Sequence, residues 1–234
     1  MKFKNTEVWG FEHAIRGMRN PMNSWKKSDS EWEYVGEYKR FVIGKNDMQL
    51  AKMLIKSGAE HRKFLRQIFV SVDITASLYF WKEFDTYKVG TTANSTSTMH
   101  KLTSTPITLD CFETDDYTDL PAEWWEKTHN AFITNELIPY LEQLRQKFVK
   151  TNNKKVWKEL VRWLPESWLY TKTVTMSYEN LLNMYHQRKN HKLNEWSGID
   201  DPTKENFIAW IETLPYAKEL ILPEENRNNY QEVR

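Results

Sequence analysis

Cysteine is almost absent: Cys111 is the only one in 234 residues. That excludes an internal disulfide and a cysteine-built zinc cage, and nothing calls for an oxidising compartment. Glycine numbers seven, and neither a Gly-x-x-x-x-Gly-Lys phosphate loop nor a dinucleotide glycine triplet occurs. An excess of charge of one sign is missing too, with 33 Lys and Arg against 32 Asp and Glu and a formal charge of +1. Such a balance provides no global field to draw a polyanion such as duplex nucleic acid, so anion binding must be local. No stretch approaches the ~18 consecutive apolar residues of a membrane span, and the opening "MKFKNTEVWGFEH" lacks the apolar run of a signal peptide. These absences lead us to expect a cytoplasmic protein with no membrane or nucleic-acid partner. The histidines show no metal-ligand spacing, because Glu60, His61 and His100 are too scattered for zinc.

Aromatics are what the chain has in quantity, eleven each of Trp, Tyr and Phe, within 40% hydrophobic residues. An interior filled largely by rings follows, with Trp124, Trp125, Trp157 and Trp163 most simply assigned to it. The length suits one domain over residues 1–222, with "PEENRNNYQEVR" at 223–234 a frayed or flexible tail. "TEVWGF" predicts an opening strand, and "EHAIRGMRNP" a short helix stopped by Pro21, followed by a polar loop. "EYVGEYKRFVIG" leans towards strand. "NDMQLAKMLIKSG" predicts a helix with Asn46 or Asp47 as cap and Gly58 just past its end. Ile68, Val70, Val72 and Ile74 alternate with Gln67, Phe69, Ser71 and Asp73, the period of a half-buried strand. An aromatic helix, "ASLYFWKEFDTYK", then leads into a Ser- and Thr-rich loop, "VGTTANSTSTMHKLTSTP", without hydrophobic period. A helix beginning near Pro121 carries Leu137, Tyr140, Leu141, Leu144 and Phe148 inward, with a bend at Pro139. "KKVWKELVRWLP" is a further short helix. Asp201-Pro202 should open the last one, whose Phe207, Ile208, Ile211 and Leu214 face inward.

Three constellations carry chemistry. After the strand-like run "TVTM", Ser177 is a candidate cap and Glu179 favours the first turn of a helix continuing to residue 195. On that helix Arg188, His191 and Glu195 fall at i, i+3 and i+7 and share a stripe bordered by Asn183. The stripe reads either as a solvated face with ordinary ion pairing or as an anion or cofactor site. "GTTANSTSTMH" offers hydroxyls, an amide and backbone N–H groups, which suit a phosphate or a heteroaromatic ring as well as a plain surface loop. Glu60-His61 is either a positioned acid/base pair or a helix-to-strand corner.

Taken in order, "LIKSGAEHRKF", the alternating strand, the aromatic helix, "NSTS", "LPESWLYT", "TMSYENLLNMYHQR" and "HKLNEW" resemble the flavin-dependent thymidylate synthases (ThyX). The resemblance spans roughly residues 46 to 200, and Thr175 to Arg188 matches without a gap. It implies an α+β fold, an antiparallel sheet flanked by helices, assembled as a homotetramer with active sites between subunits. It further implies FAD, NADPH as reductant, methylenetetrahydrofolate as carbon donor and dUMP or a related pyrimidine deoxynucleotide as substrate. By the same resemblance His61, Asn183, Arg188 and His191 would touch flavin, and Arg188 would also reach the pyrimidine. Glu195 matches the closing glutamate, and Asn94 and Ser97 match the substrate-loop signature, with Ser97 and Arg188 as the catalytic pair.

The chain also departs from the family pattern. Where the signature has Arg-His-Arg, this sequence reads Tyr87-Lys88-Val89; its final Arg is Met99, and Ser177 stands where another Asn is usual. Charge-assisted hydrogen bonds are each worth roughly 1.5–3 kcal/mol, so those arginines matter. Lys88 supplies one point charge without a bidentate fork, and Arg162 is a second cation that could take over at the substrate. A diverged, non-catalytic module that binds a nucleotide or protein, and a flavoenzyme acting on another nucleotide, are the alternatives.

Overall fold

Alternation of Val70, Val72, Ile74 and Ala76 with polar neighbours builds a strand, β4 (Phe69–Ser77), and these four side chains are all buried. Its polar side meets β6 (Leu169–Ser177). Thr175 Oγ1 lies 3.3 Å from Ser71 Oγ, Thr173 Oγ1 donates to Asp73 Oδ1 at 2.5 Å, and Thr75 and Thr171 hydroxyls lie 2.7 Å apart. Numbers climb on one strand as they fall on the other, so the pair is antiparallel. With β1 (Lys2–Trp9) and β5 (Thr92–Ser95) the sheet has the order β1-β4-β6-β5. These strands, with helices flanking them, make an α+β fold. The computed structural model describes residues 1–97, 101–114 and 131–222. Pro121, Trp124, Trp125, Met99, His100 and the tail 223–234 lie outside the described residues. The chain groups into two compact units, one of residues 1–2, 73–86 and 93–173, the other of residues 3–72, 87–92 and 174 onward.

In the first unit α3 (Leu78–Phe84) buries Phe80, Trp81 and Phe84, and the Trp81 indole donates to Tyr170 O at 2.8 Å. A second cluster gathers Leu102, Ile107, Phe112, Leu141 and Leu160 around α4 (Ile138–Thr151) and α5 (Lys154–Arg162). The bend expected at Pro139 takes the form of a π-helical turn, Ile133–Leu137, running directly into α4, where proline occupies the first turn and needs no N–H. Of the expected stripe, Leu141 is buried and Leu137 and Leu144 pack against the cluster, whereas Tyr140 is exposed. Trp163 is 55% exposed rather than core, since its indole donates to Glu159 at 2.8 Å on the outside of α5. Glu142 accepts from Arg145 (2.6 and 2.7 Å), from Ile107 N (2.8 Å) and from Gln146 (3.0 Å).

In the second unit the loop that follows α1 (Phe11–Met18) and the start of α2 (Lys45–Lys56) are joined by a reciprocal exchange of carboxylates. Neither Asn46 nor Asp47 caps α2: Asp29, from the preceding loop, accepts from the N–H groups of Asn46 (2.8 Å) and Asp47 (3.1 Å). Asp47 turns back instead and accepts from the Ser28 and Ser30 hydroxyls (2.6 Å each), from the backbone N–H groups of Asp29 and Ser30 (3.2 Å each) and from buried Arg19 (2.5 Å). Burial works to raise its pKa, but the Ser28, Ser30 and Arg19 hydrogen bonds outweigh it and hold the carboxyl below its usual value. A Cβ at Gly44 would overlap Asp29, which explains glycine there. The β-leaning run becomes a hairpin, β2 (Glu31–Val35) and β3 (Tyr38–Val42), turning at Gly36 with φ +64. The polar loop before it holds a 3-10 turn, Trp25–Lys27, and the Ser- and Thr-rich loop likewise contains β5.

The remaining helices of this unit are α6 (Tyr178–Arg188), α7 (Asn194–Ser197), α8 (Phe207–Glu212) and α9 (Ala217–Leu220). Phe207, Ile208, Ile211 and Leu214 are buried as expected, although α8 starts five residues after Pro202, capped by Asn206 accepting from Ala209 N at 2.8 Å. Asp201 closes a local turn on Thr203 instead.

Candidate functional site

Helix α6 is specified at its start by a capping box: Ser177 Oγ accepts from Asn180 N (3.3 Å) and Asn180 Oδ1 accepts from Ser177 N (3.1 Å). Leu181, Leu182 and Met184 bury one face. The opposite side carries Glu179 and Asn183 one turn apart, and both meet arginines from the segment before β4, Arg62 and, within the 3-10 turn Lys63–Gln67, Arg66. Arg66 and Arg62 pair with Glu179, Arg62 at 3.5 Å, and Arg62 Nη2 donates to Asn183 Oδ1 at 3.0 Å. Two guanidinium groups share the Glu179 carboxylate, and Glu60 also lies close enough to act on Arg66. Because Asn183 accepts through Oδ1, its Nδ2 is the donor end.

The helix ends at Arg188, not at 195. Lys189 and Asn190 turn the chain, and α7 begins afresh at Asn194. The stripe of Arg188, His191 and Glu195 therefore does not lie on one helix. The reason is tertiary: Trp196 is fully buried, and the turn that buries it folds its neighbours back over its ring. Arg188 Cζ stands 4.9 Å from the Trp196 ring centroid, and the His191 ring lies 6.3 Å from it, edge-on. The three positions that periodicity aligned on one helix are split, yet Arg188 and His191 meet on one indole. His191 Nδ1 accepts from Leu193 N at 3.1 Å, which puts the proton of the neutral ring on Nε2. Burial pushes the Glu195 carboxyl above its usual pKa.

Arg188 has a second aromatic neighbour. Its Nε donates to the Tyr87 hydroxyl at 2.8 Å, that hydroxyl donates to Gln187 Oε1 at 2.9 Å, and the Tyr87 ring centroid is 5.4 Å from Arg188 Cζ. Asn180 Nδ2 donates to Val89 O at 2.8 Å. Gly90, at φ +77, passes so close to Asn180 that an added Cβ would come within 3.1 Å of its Oδ1. Segment 87–90 is thus held against α6 by Asn180, Gln187 and Arg188.

The sequence-derived residues distribute as follows. Asn183, Arg188, His191, Lys88 and His61 belong to the second unit, whereas Asn94, Ser97 and Arg162 belong to the first. Lys88 is exposed with no ion pair among the described residues. His61 is exposed and lines a cavity of about 530 Å³ with Met18, Met53 and Phe64, while its neighbour Arg62 is the residue that reaches Asn183. Asn94 sits exposed on β5, Ser97 is half-buried just after it, and Arg162 pairs with Glu159 at 2.9 Å on α5. Arg62, Arg66, Gln187 and Trp196 were not singled out from the sequence. The one available signal was Glu179, an acid whose helix position invites a cation but does not say which one.

Among the described residues no group of three or more His, Cys, Asp or Glu could hold a metal ion, and no helix is long and apolar enough to cross a membrane. No family model matches the sequence, and no curated protein matches it. Solved structures do match. The flavin-dependent thymidylate synthase ThyX of Helicobacter pylori, in a crystal structure complexed with FAD and dUMP, superposes with a TM-score of 0.61 at 17% identity, over 94% of this chain and 98% of that one. A second structure of the Helicobacter pylori protein with FAD and dUMP, at 2.31 Å resolution, gives the same score and identity over 94% and 97%. At that identity the likeness is one of architecture, and this chain has a ThyX-like fold.

Proposed function

We propose that this protein is a ThyX-like flavoenzyme that methylates dUMP or a related pyrimidine deoxynucleotide, with FAD, NADPH and methylenetetrahydrofolate, as a cytoplasmic homotetramer. The observation that carries the reading is the state of α6: Asn183 fixed with its donor end defined, and Arg188 fixed between two rings. A guanidinium held at Nε by a phenol and faced by an indole is pre-organised, so little rotamer entropy remains to be lost when an anionic or carbonyl group meets it. The residues present fit an anionic flavin nucleotide, since Arg188 offers a positioned guanidinium and Asn183 an amide donor for a ring carbonyl. When bound, the flavin would supply hydride transfer; this chain would contribute orientation and charge.

In this reading Asn183, His191, His61 and Arg188 hold the cofactor. Arg188 and Ser97 act on substrate, and Lys88, Asn94 and Arg162 bind it. Spectroscopy of the purified protein tests the reading. Bound FAD should be visible, should shift on addition of dUMP, and should lose that response in Arg188→Ala. A colourless protein that takes up no added FAD would sink it.

A specific observation favours a second reading, a non-catalytic ThyX-fold module binding a nucleotide or a protein. At the position of the signature arginines, Tyr87 uses its hydroxyl on Arg188 and Gln187 and offers no cation. FAD binding without NADPH oxidation or label transfer to dUMP would favour it. Screening dCMP and its analogues against the flavin spectrum separates a changed substrate from lost chemistry.

A further inference from the structure

The second unit has another opening, far larger than the space one side chain leaves. A cavity of about 910 Å³ lies where the end of β1, the first turn of α1, the β2–β3 hairpin and Tyr216 come together. None of its lining residues belongs to the Arg188, Asn183 and Arg62 cluster. Its walls are rings: Trp9, Phe11, Trp32, Phe41 and Tyr216. They are organised in pairs, Phe11 against Tyr216 edge-on at 5.4 Å and Trp32 against Phe41 edge-on at 5.4 Å, while Trp9 stacks on Phe69 at 6.0 Å.

Trp9 and Trp32 nevertheless remain nearly half exposed. Both indoles line one opening, and grouped exposed aromatics of this kind mark binding surfaces. The charge of the lining is one-sided as well. Lys39 and Arg40 contribute two cations and Glu12 one anion. Arg40 is held only loosely, 3.9 Å from Glu33 with both side chains well exposed, and Lys39 lies 5.1 Å over the Tyr34 ring. Neither cation is held by a close carboxylate, and Lys39 shares the hairpin face of Trp32 and Phe41 while Arg40 pairs with Glu33 on the other face.

The pocket is also preformed. Both strands of the hairpin are largely exposed, and a free two-stranded ribbon is marginal in water. Here its base is pinned: the Tyr216 hydroxyl accepts from Ile43 N at 3.1 Å and donates to Phe41 O at 3.5 Å. Tyr216 itself adopts φ +55, an unusual conformation for a bulky residue, and Tyr178 anchors the preceding Pro215 carbonyl at 2.7 Å. The wall formed by Trp32 and Phe41 is therefore tied to the body of the unit through Tyr216.

From rings on the walls and loosely held cations among them, we infer that this cavity binds a small planar aromatic molecule bearing an anionic substituent. The ring system slots between Trp9, Trp32 and Phe41, and the anion meets Lys39 on their face of the hairpin, with Arg40 adding its charge from the other face. The volume admits a molecule of two or three fused rings.

A pair of fluorescent probes tests this on the full chain: 8-anilinonaphthalene-1-sulfonate, which is aromatic and anionic, and N-phenyl-1-naphthylamine, its neutral counterpart. The sulfonate should bind one per chain. The double variant K39Q/R40Q should weaken the sulfonate at least tenfold and leave the neutral probe within twofold, while Trp32→Ala should weaken both. All three positions are exposed, and far-UV circular dichroism checks that the variants fold. Should Trp32→Ala fail that check, Trp9→Leu takes its place. Unchanged sulfonate binding in K39Q/R40Q, or unchanged binding of both probes in the indole variant, overturns the inference. So does a fall in oligomer mass by light scattering in Trp32→Ala, which would make the cavity an interface between copies. Flavin content does not enter these readouts, so the outcome is independent of the function proposed above.

Discussion

At the scale of single residues, Tyr87 shows how one side chain can define another. Its hydroxyl bridges Gln187 and Arg188, and its ring faces the same guanidinium. Tyr87→Phe keeps the ring and removes both hydrogen bonds, so we expect a loss of about 1 kcal/mol in urea unfolding, with a larger loss in Tyr87→Ala. Glu142 makes a second residue-scale prediction. The Arg145 hydrogen bonds, assisted by Ile107 N and Gln146 against the cost of burial, bring its pKa down to about 2 from 4.5. A carboxyl depressed in the folded state contributes stability above the unfolded pKa, and that contribution disappears as pH falls from about 4.5 through about 2. The shift corresponds to about 3 kcal/mol, which partial solvent access reduces to roughly 1–2 kcal/mol. Thermal unfolding of Glu142→Gln across that window should show a flatter decline than the parent protein.

At the scale of elements, the joint between α1 and α2 is the most exacting piece of the fold. Asp47→Ala would leave Arg19 buried without its carboxylate, at a cost of about 3–5 kcal/mol, measurable as a lowered urea midpoint with an unchanged slope. This joint also marks what the sequence could not reveal. Helix α2 was legible from its apolar spacing and Gly58, β4 from its two-residue alternation, and the start of α6 from Ser177 and Glu179. Those are local signals, and the local reading holds. The cap of α2 was misassigned because Asp29 is distant in the sequence, while Asp47, the obvious neighbour, is drawn away by Arg19. The end of α6 was misread for a similar reason. Periodicity carried Arg188, His191 and Glu195 along one helix, but burying Trp196 turns the chain after Arg188. Within the candidate site, Asn183 and Arg188 were visible because they fall inside a real helix. Arg62 and Arg66 were not, since only folding brings the segment before β4 to Glu179.

For the whole molecule, balanced charge makes local arrangement decisive. A chain with a net charge of +1 can concentrate cations only where structure places them, as it does around Glu179 and at the end of α6. The segment 87–90 then has a consequence beyond holding Arg188 still. Asn180 grips Val89 near one end of α6, and Gln187 and Arg188 grip Tyr87 at the other. Eight helical residues from 180 to 188 rise roughly 12 Å, whereas two residues from Tyr87 to Val89 reach at most about 7 Å. Side chains make up the difference, the Tyr87 phenol at one end and the Asn180 amide at the other, so the number of residues between them sets where the phenol meets Arg188. One glycine inserted after Lys88 should change that spacing and release Arg188 from Tyr87 with every side chain intact. The expected readout is faster side-chain exchange of the Arg188 Nε proton by NMR, with the unfolding midpoint lowered by no more than Tyr87→Ala lowers it. Spacing itself, a property no single residue type encodes, would then be what sets the arginine.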